Sequence, residues 1–433
     1  MQPSRPWWNL RESAAPGLVV ISLFLATAQA QERPEGFYLT SPLSLSYGYD
    51  QGFVARTGKL NDTVGLLTGP TFAWMHTTHR QEFFVDYRPE IELFRHNSEL
   101  NAWNHLAAMR YKYRINARWS VDTGNLFLST ADASRQLVNS LLLLPRGRFL
   151  QNSAYLGVGY RVNARTKIDL RLDNTFTNTD LPGALAGRLD GVTTAATLTV
   201  DRKVTSRQKL SVSYSFLHSH PLRLVAGGAS DVNLANAGYG IEVNPGLVLQ
   251  LGAGVVYGAQ TSFIGTAVVE KRLGGMWVAG GYQRYLSFFG GLPQLSSAAP
   301  GTSGFADGST PGSVYQVASV RAWGRLSPRV GMEGGLQRVL NGKDTHFQSI
   351  SGIISQLHLS YRLNDRVTWF VRLEHYGQSG NVFVAESLSR SRYFAGVELS
   401  LSRPPAPDKP RDRRAIEQQG PVDTGDPLPG EKL

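Results

Sequence analysis

Residues 82–96 read EFFVDYRPEIELFRH, and they alternate. Phe83, Val85, Tyr87, Pro89, Ile91 and Leu93 hold the odd positions. Glu82, Asp86, Arg88, Glu90 and Glu92 hold the even ones, with Phe84 the exception. A helix repeats every ~3.6 residues and cannot sort side chains this way, whereas successive side chains of a strand point to opposite faces. The stretch is therefore a strand with one apolar and one charged face. In a water-soluble sheet the apolar face packs inward; in a membrane barrel it meets lipid and the charges turn to the lumen. Pro89 has no N–H to give to a ladder, which predicts a bulge or kink there.

The same alternation recurs along the chain. AWNHLAAMRYKYRIN sets Trp103, Ala107, Met109, Tyr111, Tyr113 and Ile115 against Asn104, Arg110, Lys112 and Arg114. KIDLRLDNTF sets Ile168, Leu170, Leu172 and Phe176 against Lys167, Asp169, Arg171 and Asp173. KLSVSYSF, QLHLSYRL and AGVELSLS repeat the pattern, and no long segment has a helical period.

Connections alternate between short and long. Short turns rich in Asn, Gly, Pro and Ser fall near Thr77, Asn116, Asn163, Thr205, Asn244, Gly274, Ser327 and Asn364. Longer connections fall at 130–150, 178–190, 218–230, 289–313 and 377–390. With terminal strands near 43–53 and 391–402, the count comes to about eighteen, with about sixteen as the alternative. An even count, tight turns at one end and both chain termini on that end describe a transmembrane antiparallel up-and-down β-barrel. Tyr113, Trp119, Tyr160, Tyr361 and Trp369 fall on apolar faces beside short turns, as an interfacial girdle requires. A water-soluble propeller or sandwich is the competing all-β reading.

Composition excludes other classes. The chain is 42% hydrophobic and 18% charged, with a mean hydropathy of −0.20, too polar for a bundle of membrane helices. Cysteine is absent, which removes thiolate nucleophiles and thiolate metal sites. The N-terminus has Arg5 and Arg11, then an apolar run from Leu18 to Ala26, then Ala28-Gln29-Ala30. That is a cleavable secretory leader over residues 1–30; a single membrane anchor is the alternative. Residues 31–402 form the barrel, and residues 403–433, rich in Pro and charge, form a periplasmic tail expected to be extended or disordered.

Of the net charge of +11, the leader carries +1 and the tail none, leaving +10 in residues 31–402. Export argues against nucleic acid as a partner, so the excess points to an anionic solute or to lipopolysaccharide phosphate. The candidate lumen charges are Glu82, Asp86, Arg88, Glu90, Glu92, Arg110, Lys112, Arg114, Arg171, Arg362 and Arg372. Glu90 and Glu92 are expected to pair with Arg110 and Arg114 across the hairpin. The 289–313 connection is the candidate constriction. No catalytic, cofactor or metal site is expected. Gly301-Thr302-Ser303-Gly304 lacks the spacing of a nucleophile elbow, and the pairs His76/His79 and His218/His220 lack a nearby carboxylate or third ligand by spacing.

The leader, the repeat YKYRINARWSVDTGNLFLS and the final strand RYFAGVELSLS resemble the β-barrel porins of Gram-negative outer membranes, including barrels associated with exopolysaccharide export. The resemblance implies residence in the outer membrane among lipid and lipopolysaccharide. It also implies assembly by the machinery that reads a terminal strand, here Gly396 with Leu399 and Leu401. The chain departs from the pattern in continuing past that strand into the tail, expected to be an inert solvated segment, with a hold on a periplasmic partner or the cell wall as the alternative. The functional expectation is a pore passing small hydrophilic solutes or an anionic polysaccharide. An enzyme of lipase or deacylase type with residues on the rim, or a non-conducting structural barrel, are the alternatives.

Overall fold

The computed structural model describes residues 36–39, 42–55, 58–132, 146–180, 190–222, 230–258, 261–287, 313–341, 351–379 and 387–401. The leader, the tail, Gly301–Gly304 and most of the 289–313 connection lie outside them. The strands are β1 (Gly36–Leu39), β2 (Leu43–Ala55), β3 (Gly58–Thr68), β4 (Phe72–Thr77), β5 (Gln81–Phe94), β6 (Ala102–Arg114) and β7 (Trp119–Thr130). Next come β8 (Phe149–Arg161), β9 (Thr166–Thr179), β10 (Gly191–Lys203), β11 (Gln208–Pro221), β12 (Ser230–Asn244), β13 (Leu247–Tyr257) and β14 (Ser262–Leu273). The last are β15 (Met276–Ser287), β16 (Ser313–Arg325), β17 (Val330–Asn341), β18 (Ser351–Arg362), β19 (Val367–Ser379) and β20 (Leu388–Leu399).

Every pairing is antiparallel between neighbours, and β20 pairs with both β19 and β2, so the sheet closes on itself. β1 and β2 together make one wall position, because β1 pairs with β4 while β2 pairs with β3. β3 and β4 likewise share one position beside β5. The barrel therefore has 18 strand positions. All eight short turns fall where the sequence places them, and both chain ends meet the wall at that end, with Leu43 opposite Leu399.

The turns owe their geometry to side chains. Asn116 Oδ1 accepts the N–H groups of Arg118 (2.8 Å) and Trp119 (2.9 Å). Asn163 and Asn364 repeat this on residues two and three further along. A short polar side chain thus replaces the backbone acceptor that a tight turn removes.

Pro89 does not break its own strand. β5 runs unbroken through it, and the irregularity lies in the neighbouring strand position. Thr68 faces Glu90 and Phe72 faces Tyr87, so the three residues Gly69–Thr71 stand opposite the two residues Arg88 and Pro89. The Pro89 carbonyl accepts Gly69 N–H at 2.9 Å. Because N–H and C=O of one strand residue point the same way, the missing donor falls at the gap between β3 and β4. The bulge expected at Pro89 is displaced onto its partner.

A second bulge sits in β2 between Gln51 and Phe53. Gly52 there has φ +77°, and a β-carbon on it would stand 2.2 Å from the Ser389 carbonyl oxygen. Its N–H bonds Asn61 Oδ1 at 2.7 Å. The extra residue shifts the alternation by one, so Asp50 and Phe53 both become buried.

Candidate functional site: a charge cluster inside the barrel

The two faces of the wall differ sharply. One carries large exposed apolar side chains, among them Leu45, Trp103, Leu156, Leu172, Phe263, Ile353 and Trp369. On the other lies a cluster built around Asp132. This residue stands two places beyond the end of β7, and its Oδ2 accepts from Arg390 (2.6 Å), Arg392 (2.8 Å) and Arg146 (3.3 Å). In the wall β2, β3, β5 and β6 stand between β7 and β20. Side chains from β20 and from beyond β7 can meet only across the concave inside, which fixes this face as the inner one.

The cluster continues on both sides. Arg390 grips Asp50 through two hydrogen bonds of 2.9 and 2.6 Å, a fork-to-fork geometry that lysine cannot make. Arg392 donates to Glu374 at 3.2 Å. Arg146 donates to Glu92 at 2.8 Å, and its guanidinium lies 4.5 Å from the centre of the Phe94 ring. Asn104 donates to Glu92 (2.6 Å) and Glu90 (2.9 Å), while its Oδ1 accepts Ala131 N–H at 2.9 Å. Both ends of the connection between β7 and β8 are thus tied to the wall, the first by Asn104 and Asp132, the second by Arg146.

Asp132, Arg146, Arg390 and Arg392 are all buried, the last at 0% exposure. Burial pushes the Asp132 carboxyl up, but Arg390, Arg392 and Arg146 outweigh it and hold the group well below the usual carboxylate range. The acid stays ionised because three cations surround it.

Beside the cluster, Phe53, Val64, Leu66, Phe94 and Phe394 pack together. Ala195, Leu217, Val232, Leu234, Val256 and Ile264 form a second buried group, and Tyr315, Val317 and Val339 a third. These residues lie near the strand ends that lead to the longer connections. The inner face in that half therefore holds apolar groups side by side with the buried charges of the Asp132 cluster.

Comparisons with known proteins give a likeness of fold. No family model matches the chain, and no curated protein does. Among solved structures, Acinetobacter baumannii OccAB4 is 10% identical, with 85% of this chain and 98% of that one covered, at a TM-score of 0.46. Pseudomonas aeruginosa OpdO is 15% identical over 82% and 96%, at 0.45. Pseudomonas aeruginosa OprD is 12% identical over 84% and 96%, at 0.43. The barrel assignment here rests on the chain's own strand pairing.

The residues singled out in the sequence fall as follows. Glu82, Asp86, Arg88 and Glu90 share the alternation of buried Glu92, and Lys112 lies directly opposite Glu82. Glu90 and Glu92 do not meet Arg110 or Arg114. Register sets Asn104 opposite Glu90 and Ala102 opposite Glu92, while Arg110 faces Phe84 and Gly124. Glu92 pairs with Arg146, which approaches from a connection rather than from the hairpin. Arg171 pairs with Asp173 at 2.7 Å, its guanidinium 4.1 Å from the Tyr155 ring centre. Arg372 faces His358 and Phe394, and Arg362 ends β18 opposite Thr368.

Sequence reasoning missed Asp50, Asp132, Arg146, Glu374, Arg390 and Arg392. The last two had a signal: in SRSRYF they take the same alternate positions as Phe394 and Gly396. Asp132 and Arg146 flank a connection and carry no such periodic mark. His218, judged to lack a carboxylate, is 2.7 Å from Asp231 on β12. Among the described residues no group of three potential ligands gathers to hold a metal ion.

Proposed function

We propose that the protein is an outer-membrane channel that passes small hydrophilic solutes through a charged lumen, with a preference for anions. One observation carries the reading: apolar side chains as large as Trp103 (59%), Leu45 (61%) and Phe263 (72%) stand exposed on the outside of a closed barrel, while charges turn in. In water such a belt far exceeds the few hundred Å² of apolar patch that monomers tolerate; in lipid it is the expected surface. A leader over residues 1–30 would supply export, and barrel insertion machinery would supply assembly. Carriage of an anionic polysaccharide is the more specific form of the proposal, supported by the +10 balance of residues 31–402.

A second reading has an observation in its favour. Phe53, Val64, Leu66, Phe94 and Phe394 and the Asp132 cluster fill one sector of the interior, as a structural barrel without conduction would also do. Heat-modifiable migration on a gel combined with planar-bilayer recording separates the two. A channel gives discrete conductance steps with anions more permeant. A folded, heat-modifiable barrel that never conducts leaves the structural reading standing, and strong cation selectivity removes the anion preference.

A further inference from the structure

Six of the eight short turns carry one pattern. Thr78-His79-Arg80, Asn116-Ala117-Arg118, Asn163-Ala164-Arg165, Thr205-Ser206-Arg207, Ser327-Pro328-Arg329 and Asn364-Asp365-Arg366 each place arginine two residues after a capping Asn, Ser or Thr. The cap holds the arginine N–H, as with Arg165 on Asn163 (2.9 Å) and Arg366 on Asn364 (2.8 Å). The arginine carbonyl is held as well, by the last residue of the next descending strand. Arg114 N–H donates to Arg80 (2.6 Å) and Arg161 N–H to Arg118 (2.8 Å). Lys203 N–H donates to Arg165 (2.7 Å) and Arg362 N–H to Arg329 (2.7 Å).

These backbone bonds need no particular side chain. In four of the six turns they nevertheless bring two basic residues together, all eight side chains exposed, while Arg207 is held by Glu242 (2.9 Å) and Arg366 by Ser400 (2.7 Å). Among the described residues none of the eight makes an ion pair. Like charges set side by side repel, so the arrangement costs stability unless an anion from outside joins it.

Alternation says where the charges stand. Arg114, Arg161, Lys203 and Arg362 end strands at positions that share the inner face with Asn104, Gln151, Thr193 and Gly352. The outer face at the same level carries apolar Ile115, Val162, Val204, Leu326 and Leu363, each 41% exposed or more. The rim is sorted into an apolar outside and a basic inside. Successive hairpins lie about 10 Å apart, two strand spacings, so the pairs make a discontinuous ring around one mouth of the barrel. Two nearby acids are engaged, Asp169 with Lys167 and Asp201 with Lys209, and exposed Glu242 and Asp365 stand by Arg207 and Arg366, outside the four pairs.

The geometry points to this short-turn mouth as a collecting site for soluble multivalent anions, molecules bearing several carboxylates or phosphates spaced to reach more than one basic pair. A single carboxylate meets one pair; a chain of them meets several, and the ring discriminates by valence. The inference deepens the channel reading and shares its premise that the lumen conducts. Binding at the mouth, however, is measurable without conduction.

The test uses the full chain in a planar bilayer, its insertion direction scored by access to a tag after residue 433, which follows the strand that ends at the short-turn rim. Pentaglutamate and tripolyphosphate are added to either side in turn, with monomeric glutamate as the control. Binding of the same probes to detergent-solubilised protein is measured in parallel. Block of the current from the short-turn side at about tenfold lower probe concentration than from the other side is expected, weakening with salt. The variant R118Q/R161Q/R165Q/K203Q, checked for heat-modifiable folding, should lose about tenfold in block and in binding. The matching variant with Lys in place of the three arginines should keep both. Equal block from both sides, equal potency of monomeric glutamate, or an unchanged Gln variant overturns the proposal. If the barrel conducts nothing, the channel reading fails, while tight, salt-sensitive, ring-dependent binding in detergent still upholds the anion site and its absence removes it. Carboxylate and phosphate probes differing in potency identify which chemistry the ring prefers.

Discussion

Arg392 on β20 and Asp132 beyond β7 form a 2.8 Å ion pair through the barrel interior, with side chains 0% and 2% exposed. Charges this deep are held by their mutual attraction against a large loss of hydration, so the pair is sensitive to removal of one partner. Asp132→Ala takes the shared counter-charge from Arg390, Arg392 and Arg146 together. The expected cost is roughly 3–5 kcal/mol of barrel stability, read as a lower temperature for the heat-modifiable gel shift and a lower urea midpoint. Glu333→Gln removes the partner of exposed Arg321, a pair of the kind worth about 1 kcal/mol or less. Equal losses in the two variants would contradict the account.

The same acid sets a response to pH. Asp132 has a folded-state pKa below its ordinary value of 3.8. A depressed carboxylate contributes stability that is fully present above its unfolded value and lost as pH falls through the folded one. Wild-type stability attributable to this residue should hold constant from neutral pH down to about 4 and decline below it. Asp132→Asn, which has no proton to take up, should show a flatter acid limb in denaturation followed by tryptophan fluorescence. A decline beginning near pH 6 would assign the acid response to histidine instead.

Architecture was legible because period-2 alternation and turn chemistry are local. Asn116, Asn163 and Asn364 mark their turns by the bonds they make within three residues, and the barrel count follows from the turns. The charge cluster was not legible, because its contacts join residues far apart in sequence. Arg390 reaches Asp50 across 340 residues, and Asp132 and Arg146 lie outside any strand. Gly52 misleads in a different way, since one extra residue reverses the alternation and turns Phe53 inward. Register decided the rest: a correct hairpin between β5 and β6 still sets Glu90 beside Asn104 rather than Arg110.

Gly52 is a position where both backbone and neighbours exclude a side chain. Its φ of +77° is strained for any L-residue, and the Ser389 carbonyl leaves no room for a β-carbon. Gly52→Ala should cost at least about 1–3 kcal/mol from backbone strain alone. It should also loosen the start of β20, where Arg390 follows Ser389. Hydrogen exchange at residues 388–392 should rise in the variant. Protection equal to wild type there would mean that the bulge and the cluster are independent.

Ion selectivity gives the last test, because it reads the charges that do not fill the wall. Arg88 on β5 and Arg372 on β19 both stand on the inner face, and Arg372 is near enough to act electrostatically on Arg88. β3, β2 and β20 separate their strands in the wall, so the two cations act on each other across the lumen rather than along one hairpin. Asp86 opposes Arg88 from two residues away on the same strand, and Glu398, on the neighbouring strand β20, acts on Arg372, so each cation is partly offset. Charged groups lining a narrow pore sort ions by sign. Replacing both cations, Arg88→Glu with Arg372→Glu, reverses two charges, a net change of four units, and leaves Asp86 and Glu398 without these cations. The reversal potential in a salt gradient should move toward cations, with single-channel conductance kept within about twofold because neither residue belongs to the Asp132 cluster. Each single substitution should move it part of the way. A reversal potential that stays put in the double variant would show that permeating ions do not pass these residues, and would move the selective region to the basic ring at the short-turn mouth.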